Sequence, residues 1–256
     1  MANKWHPQNG LTLYGRKPAL EALANRALEV AQLHLADSNR PGGIIAQIIA
    51  QAESRNIPIQ YHEKQALSRI SKNGRQDQGV ALDINCPRFG SVDSLVSGDP
   101  STPQRLLALD SITNPQNVGM IIRSAVAAGV DGLLYPKKGV AALGPLVIKA
   151  SAGTMFRAPL ISCDALAPAL QALKTEGYAI ATLEASATQS LFSYQAPART
   201  VFVLGGETSG VSDAVHQLAD QRLAIPMSNE VESLNVAVTA ALVAFHLTLP
   251  HHAPSE

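Results

Sequence analysis

Charge, aromatic rings and sulfur are all scarce in this chain, and each shortage narrows what it can do. Only 16% of the 256 residues are charged and the formal net charge is +0, so the basic signature of a general nucleic-acid binder is missing. Divided near residue 103, the halves differ little: 11 Lys/Arg against 9 Asp/Glu in the first, 9 against 11 in the second. Any contact with RNA must therefore rest on local patches. The two cysteines, Cys86 and Cys163, have no partner at metal-ligand spacing and imply no disulfide framework, as expected of reduced thiols in a cytoplasmic protein without a metal. His62-Glu63 lacks the second histidine of a zinc helix. The opening MANKWHPQNG has no apolar core of signal-peptide length and reads as a loose leader over residues 1–10. No segment is apolar enough to span a membrane.

What remains is aliphatic. Hydrophobic residues make up 46% of the chain and aromatic ones 4%, with Ala, Leu and Val dominant, which describes a globular α/β protein. Residues 11–14, 30–35, 57–61 and 79–85 read as strands, and 17–29, 44–55 and 65–71 as helices, giving a small α/β sandwich. Arg69, Lys72 and Arg75 recur every third residue near the end of the last of these helices. They form either a solvated face or a contact for phosphate. Residues 88–102 are rich in Ser, Gly, Pro and Asp and lack a sustained apolar period. That marks 89–103 as a linker between a domain at 1–88 and one at 104–256, with 92–96 docking locally.

In the second half, continuous apolar strands (105–110, 130–135, 160–162, 178–183, 201–204 and 223–225) alternate with helices at 115–128, 166–175 and beyond 213. That pattern predicts a largely parallel sheet covered on both faces. Asn114 is a natural N-cap and Pro115 the favoured first residue of the helix that carries Asn117, Gly119 and Arg123. Arg123 stands among Ala, Val, Ile and Gly, where a guanidinium needs a partner or a cleft; a salt bridge at a helix contact is the plainer alternative.

The strand 201–204 runs into Gly-Gly-Glu-Thr-Ser-Gly at 205–210. A phosphate loop is excluded, because Val211 and Ser212 stand where Lys and Ser/Thr are required, and no G-x-G-x-x-G occurs. Glu207 in this loop would repel a pyrophosphate, so the loop is either a tight turn or the seat of a neutral or cationic ligand. Finally, 225–245 reads IPMSNEVESLNVAVTAALVAF. Here Ser228, Asn229, Glu230, Glu232, Ser233 and Asn235 lead into a helix buried on most sides, with Ser233 the expected N-cap if the run does no more than cap.

Three stretches in this order and spacing, NPQNVGMIIR at 114–123, LGGETSG at 204–210 and IPMSNEVESLNV at 225–236, resemble the three motifs of the SpoU (TrmH-type) RNA 2′-O-ribose methyltransferases of the SPOUT superfamily. The resemblance covers about 104–250. Tyr14-Gly15-Arg16 and Gln78-Gly79-Val80-Ala81 resemble the L30-like substrate-binding domain of the 23S rRNA guanosine members.

The resemblance implies a C-terminal parallel-sheet domain with a trefoil knot threaded by 233–245, preceded by the smaller L30-like α/β domain. It also implies S-adenosylmethionine as cofactor, a homodimer, and an RNA substrate. For that substrate 23S rRNA is expected, with tRNA or a non-catalytic RNA-binding role as alternatives. Carried over by position, Gly205, Ile225 and Leu234 would hold the cofactor, and Asn117, Arg123, Glu207, Ser233 and Asn235 would form the active site. Arg16 would join Arg69, Lys72 and Arg75 in contacting RNA. Because a guanidinium scarcely deprotonates, Arg123 is read as stabilising a developing alkoxide and gripping the adjacent phosphate, oriented by Asn117 and Glu207. Ser233 and Asn235 would position phosphate and cofactor. Gly206, Thr208 and Asn229 depart from the usual motif residues, and Thr208 and Asn229 add side chains beside the cofactor.

Overall fold

The computed structural model describes residues 10–248, so nearly all of the expected leader lies outside the described residues. The chain forms two compact units, Met1–Arg88 and Phe89–Glu256. The first contains β1 (Gly10–Tyr14), α1 (Arg16–Ala24), β2 (Glu29–Ala36), α2 (Gly43–Ser54), β3 (Ile59–His62), α3 (Lys64–Ser71) and β4 (Val80–Asn85). Its sheet has the order β1-β4-β2-β3, with only the β2–β3 pair parallel. Strand alternation sends Leu33 and Leu35 to one face and His34 to the other. Buried His34 is satisfied there: Nε2 lies 3.0 Å from Asp83 Oδ2 and Nδ1 lies 2.9 Å from His62 Nε2, while Thr12 Oγ1 donates to Asp83 Oδ1 at 2.7 Å. Burial, then His34, lowers the pKa of His62.

The helix expected over 17–29 stops at Ala24. The Arg55 guanidinium, just past α2, donates to the carbonyls of Leu23 at 2.7 Å and Leu28 at 2.5 Å, so a distant side chain satisfies carbonyls at and beyond the end of α1.

The second unit opens inside the expected linker. Residues 89–103 carry β5 (Gly90–Ser91) and α4 (Val92–Val96). There follow β6 (Gln104–Asp110), α5 (Pro115–Ala128), β7 (Gly132–Pro136), α6 (Pro145–Ala150), β8 (Leu160–Cys163), α7 (Leu166–Thr175), β9 (Ala179–Leu183), β10 (Gln189–Ser190), β11 (Arg199–Gly205), α8 (Asp213–His216), β12 (Gln221–Ala224) and α9 (Val236–Thr248). The sheet runs β10-β12-β9-β11-β6-β7-β8-β5, every pair parallel. Leu106, Ala108, Val201 and Val203 pack with Leu170 and Leu173 of α7 in one core cluster. Leu107, Leu109 and Phe202 alternate to the opposite face and are equally buried. Strands buried on both sides account for the unbroken apolar runs.

Register places the site. Asp110 pairs with Gly205 and Thr182 with Val203, while Leu223 pairs with Leu183, so β6, β11, β9 and β12 all end at one level. Ligands in parallel α/β sheets collect at such carboxyl ends.

Candidate active site

At this edge the glycine loop closes on itself: Gly206 N–H donates to Gly210 O at 3.1 Å and Gly210 N–H to Gly206 O at 2.9 Å. Two features require glycine here. A Cβ on Gly205 would stand 2.2 Å from the Gly210 carbonyl carbon, and one on Gly206 would stand 2.5 Å from Ser111 O. Ser111 itself has φ 58, so the Gly206 departure makes room for a left-handed residue on the neighbouring loop. Asp110 ties the two loops together, accepting from Ser212 N–H at 2.7 Å and from Ser111 Oγ at 3.1 Å.

The closed loop presents Glu207 at its tip, where three of the expected residues meet. Asn117 Nδ2 donates to Glu207 Oε1 at 3.0 Å; Asn235 Nδ2 donates to the same oxygen at 2.7 Å and lies 3.2 Å from Asn117 Oδ1. Asn117 is 3% exposed, at the first turn of α5, whose N-cap is Asn114 as expected: its side chain accepts from Gln116 N–H at 2.9 Å. The cap of α9 is Asn235 rather than Ser233. Its Oδ1 accepts from Ala237 N–H at 2.9 Å, and that bond turns the amide nitrogen toward Glu207.

Arg123 does not join them. It is exposed, and among the described residues of this chain it takes no hydrogen bond or ion pair, so the expected burial does not hold and the expected orientation by Asn117 and Glu207 is not made within one chain. Helix geometry is the reason: six residues beyond Asn117, it lies about 9 Å further along α5 and roughly 120° around it. Its i−4 neighbour Gly119 packs so closely on α6 that a Cβ would meet Val147 O at 2.6 Å.

Two cavities share the Glu207 loop. One, of about 420 Å³, is lined by Gly205, Ile225 and Leu234, by Glu207 and Ser233, and also by Glu184, His216 and Met227. The other, of about 270 Å³, is lined by Ser111, Thr113, Asn114, Asn117, Glu207 and Thr208. Glu207, Ser209 and Val236 border both. The sequence reading missed Glu184 and His216, which lie in no motif; only their positions just after β9 and in α8 bring them to this edge.

Of the residues expected to contact RNA, Arg69, Lys72 and Arg75 are exposed at and beyond the end of α3. Arg16 is half-buried and engaged within its own unit, donating from Nε to Gln78 O at 3.1 Å and from Nη2 to Asn39 Oδ1 at 3.1 Å.

The model of the SpoU rRNA Methylase family matches residues 104–245. The chain belongs to that family. A second model, RNA 2′-O ribose methyltransferase substrate binding, matches residues 12–89. An "Uncharacterized tRNA/rRNA methyltransferase" of Mycobacterium ulcerans is 31% identical over 233 residues, 91% of this chain and 74% of its own. In fold, the chain is similar to the SpoU methyltransferase AviRb from Streptomyces viridochromogenes in complex with AdoMet, with a TM-score of 0.61 at 19% identity, covering 94% of this chain and 90% of that one. It is likewise similar to an AdoMet-bound rRNA methyltransferase from Sinorhizobium meliloti, with a TM-score of 0.58 at 19% identity, covering 93% and 86%.

The SpoU-family protein is thus an RNA methyltransferase, and S-adenosylmethionine is the group bound by the two solved structures that it resembles in fold. The residues present fit that group. The larger cavity is of small-molecule size, with an apolar wall at Leu223, Ile225 and Leu234 and a carboxylate at Glu207. The candidate Gly205 lies where a side chain would collide with the loop backbone.

Proposed function

We propose that this SpoU-family enzyme transfers a methyl group from S-adenosylmethionine to a ribose 2′-hydroxyl of structured RNA, with ribosomal RNA as the substrate. The observation that carries the reading is the position of Glu207 on the wall of both cavities, so that a donor in one and a ribose in the other would meet beside one carboxylate. The bound cofactor supplies a methyl carbon on a positively charged sulfur. Glu207 puts negative charge where that cation would lie, and Asn117 and Asn235 hold one of its oxygens in place. Ser233, on the wall of the larger cavity, is available to the cofactor or an adjacent phosphate. Gly205, Ile225 and Leu234 would hold the cofactor, which would give its methyl carbon to the ribose oxygen and leave as S-adenosylhomocysteine, with the hydroxyl proton released to solvent. Arg123 is assigned to stabilise the alkoxide character that develops, and to grip the neighbouring phosphate.

Because Arg123 stands apart from Glu207 within one chain, the reading includes a homodimer in which Arg123 of one copy serves the cavities of the other. Helices α5 and α9 pack on each other, and both leave apolar side chains exposed: Met120 at 41% and Val238 at 48%. The implied knot, threaded by residues 233–245, and an RNA contact by Arg69, Lys72 and Arg75 belong to the same proposal.

The test is incubation of the purified protein with methyl-tritiated cofactor and either ribosomal RNA or tRNA, followed by alkaline hydrolysis. A methylated 2′-oxygen blocks cleavage of its phosphodiester, so label in alkali-resistant dinucleotides from ribosomal RNA is expected. Label confined to tRNA would correct the substrate. Label in mononucleotides, or none, would overturn the ribose assignment.

A further inference from the structure

The larger cavity has a second carboxylate, Glu184, which stands outside the three motifs. It follows β9 directly and its side chain is 14% exposed. The hydroxyl of fully buried Thr182 donates to Glu184 Oε1 at 2.6 Å. His216 Nδ1 lies 3.1 Å from the same oxygen but at an angle that makes no hydrogen bond, and Arg222 Nε stands 3.9 Å away. Among the described residues the other carboxylate oxygen takes no hydrogen bond, so a half-buried acid keeps an open acceptor at the cavity wall. That second oxygen is not among the buried unpaired atoms and so is open to solvent, where a ligand hydroxyl can take the place of water as its donor.

Strand order says which part of the cofactor arrives there. The strands run β12, β9, β11 across the sheet. Ile225, after β12, stands with Leu223 and Leu234 in an apolar wall suited to the flat face of a purine. Glu207, after β11, borders the acceptor cavity, which fixes the sulfonium end. The ribose joins base to sulfur and so falls between them, at the end of β9, where Glu184 is. We infer that Glu184 accepts hydrogen bonds from the ribose hydroxyls of the cofactor, with Thr182 as a positioning residue that orients the carboxylate. This rests on the proposed use of the cavity for S-adenosylmethionine.

The experiment is calorimetric binding, with no turnover required, of S-adenosylhomocysteine, 5′-methylthioadenosine and the 2′,3′-dideoxy form of the latter. The protein should bind 5′-methylthioadenosine about 10- to 100-fold more tightly than its dideoxy form, the range for hydrogen bonds to a charged group. In Glu184→Gln that preference should shrink to a few-fold, with equal losses on S-adenosylhomocysteine and 5′-methylthioadenosine. Thr182→Val keeps the carboxylate but frees it, and should lose part of the preference; it serves if Glu184→Gln does not fold. An undiminished preference in the variants overturns the inference. So does a loss on S-adenosylhomocysteine alone, since the carboxylate would then read the amino-acid end. If the unaltered protein binds none of the three ligands, the proposed function itself fails.

Discussion

The Asn235 amide nitrogen lies 2.7 Å from Glu207 Oε1 because the oxygen of the same amide caps α9. One side chain thus fixes where the helix begins and how the loop carboxylate is held. The two roles separate by substitution. Asn235→Ser keeps a capping oxygen but removes the donor to Glu207, so thermal stability should change by only a few tenths of a kcal/mol while methyl transfer falls tenfold or more. Asn235→Ala removes both and should cost about 1 kcal/mol as well. Melting curves and single-turnover rates for the pair check this; equal stability loss in both variants would mean that the cap is not made by the side chain.

Gly206 should tolerate no side chain while Ser111 keeps its present path. Gly206→Ala brings a Cβ to 2.5 Å from Ser111 O and is expected to destabilise by about 1–3 kcal/mol. Ser111→Gly relieves the left-handed serine and lets its carbonyl shift, so the cost of Gly206→Ala should shrink in the double variant. Denaturant melts of the four proteins measure the coupling; strict additivity would place the two loops in no contact.

Residues Asn229 and Glu230 both adopt positive φ, 55 and 61, in a turn closed by Val231 N–H to Ser228 O at 3.3 Å. Asn accepts this conformation readily and glutamate does not. Glu230→Gly should therefore stabilise by roughly 0.5–1 kcal/mol, strain relief exceeding the added freedom of the unfolded chain, and Asn229→Gly should be close to neutral. Both are read from melting temperatures, and the reverse ranking would refute the assignment of strain. The Asn229 departure from the usual motif residue thus has a conformational explanation.

Burial pushes the Cys86 thiol up from 9.0 to about 12 and the Cys163 thiol up to about 11. A raised thiol pKa means that the folded state holds its proton more tightly than the unfolded state does. The stabilisation is complete below pH 9 and is lost as pH rises toward 11 and 12. The melting temperature should fall across that interval, less steeply in Cys86→Ala. At pH 8 neither thiol should react with a disulfide reagent until the chain is unfolded.

Much of the second unit was legible because its strands are continuous apolar runs and α5 starts at a strong Asn-Pro cap. The meeting of Asn117, Glu207 and Asn235 was legible only through motif resemblance: the partners lie up to 118 residues apart, and no local rule brings them together. The cap on α9 was misplaced by two residues because Ser233 and Asn235 are equally good caps in isolation. What separates them is the tertiary contact: Asn235 accepts from Ala237 N–H through one end of its amide while the other end donates to Glu207. The end of α1 was overrun because Arg55, which bonds the carbonyls at and beyond that end, lies 31 residues past Ala24. Glu184 had no signal beyond following a strand, since its importance depends on which strands become neighbours.

Arg123 was misread for a physical reason that also makes it testable. Apolar neighbours in sequence placed it inside, but a helix packed on two sides still has a third, and Arg123 occupies it. A solvated guanidinium contributes little to folding, so Arg123→Ala should change stability by no more than about 0.5 kcal/mol. If Arg123 acts only in the transition state, Arg123→Ala and Arg123→Lys should bind S-adenosylhomocysteine as the unaltered protein does and lose turnover, with Lys unable to restore a two-pronged contact. Heterodimers test whether it acts across a subunit interface. Mixing subunits inactive through Arg123→Ala with subunits inactive through Glu207→Ala would pair an intact Glu207 in one copy with an intact Arg123 in the other. A share of the activity should then return, and none should return if each active site draws both residues from one chain.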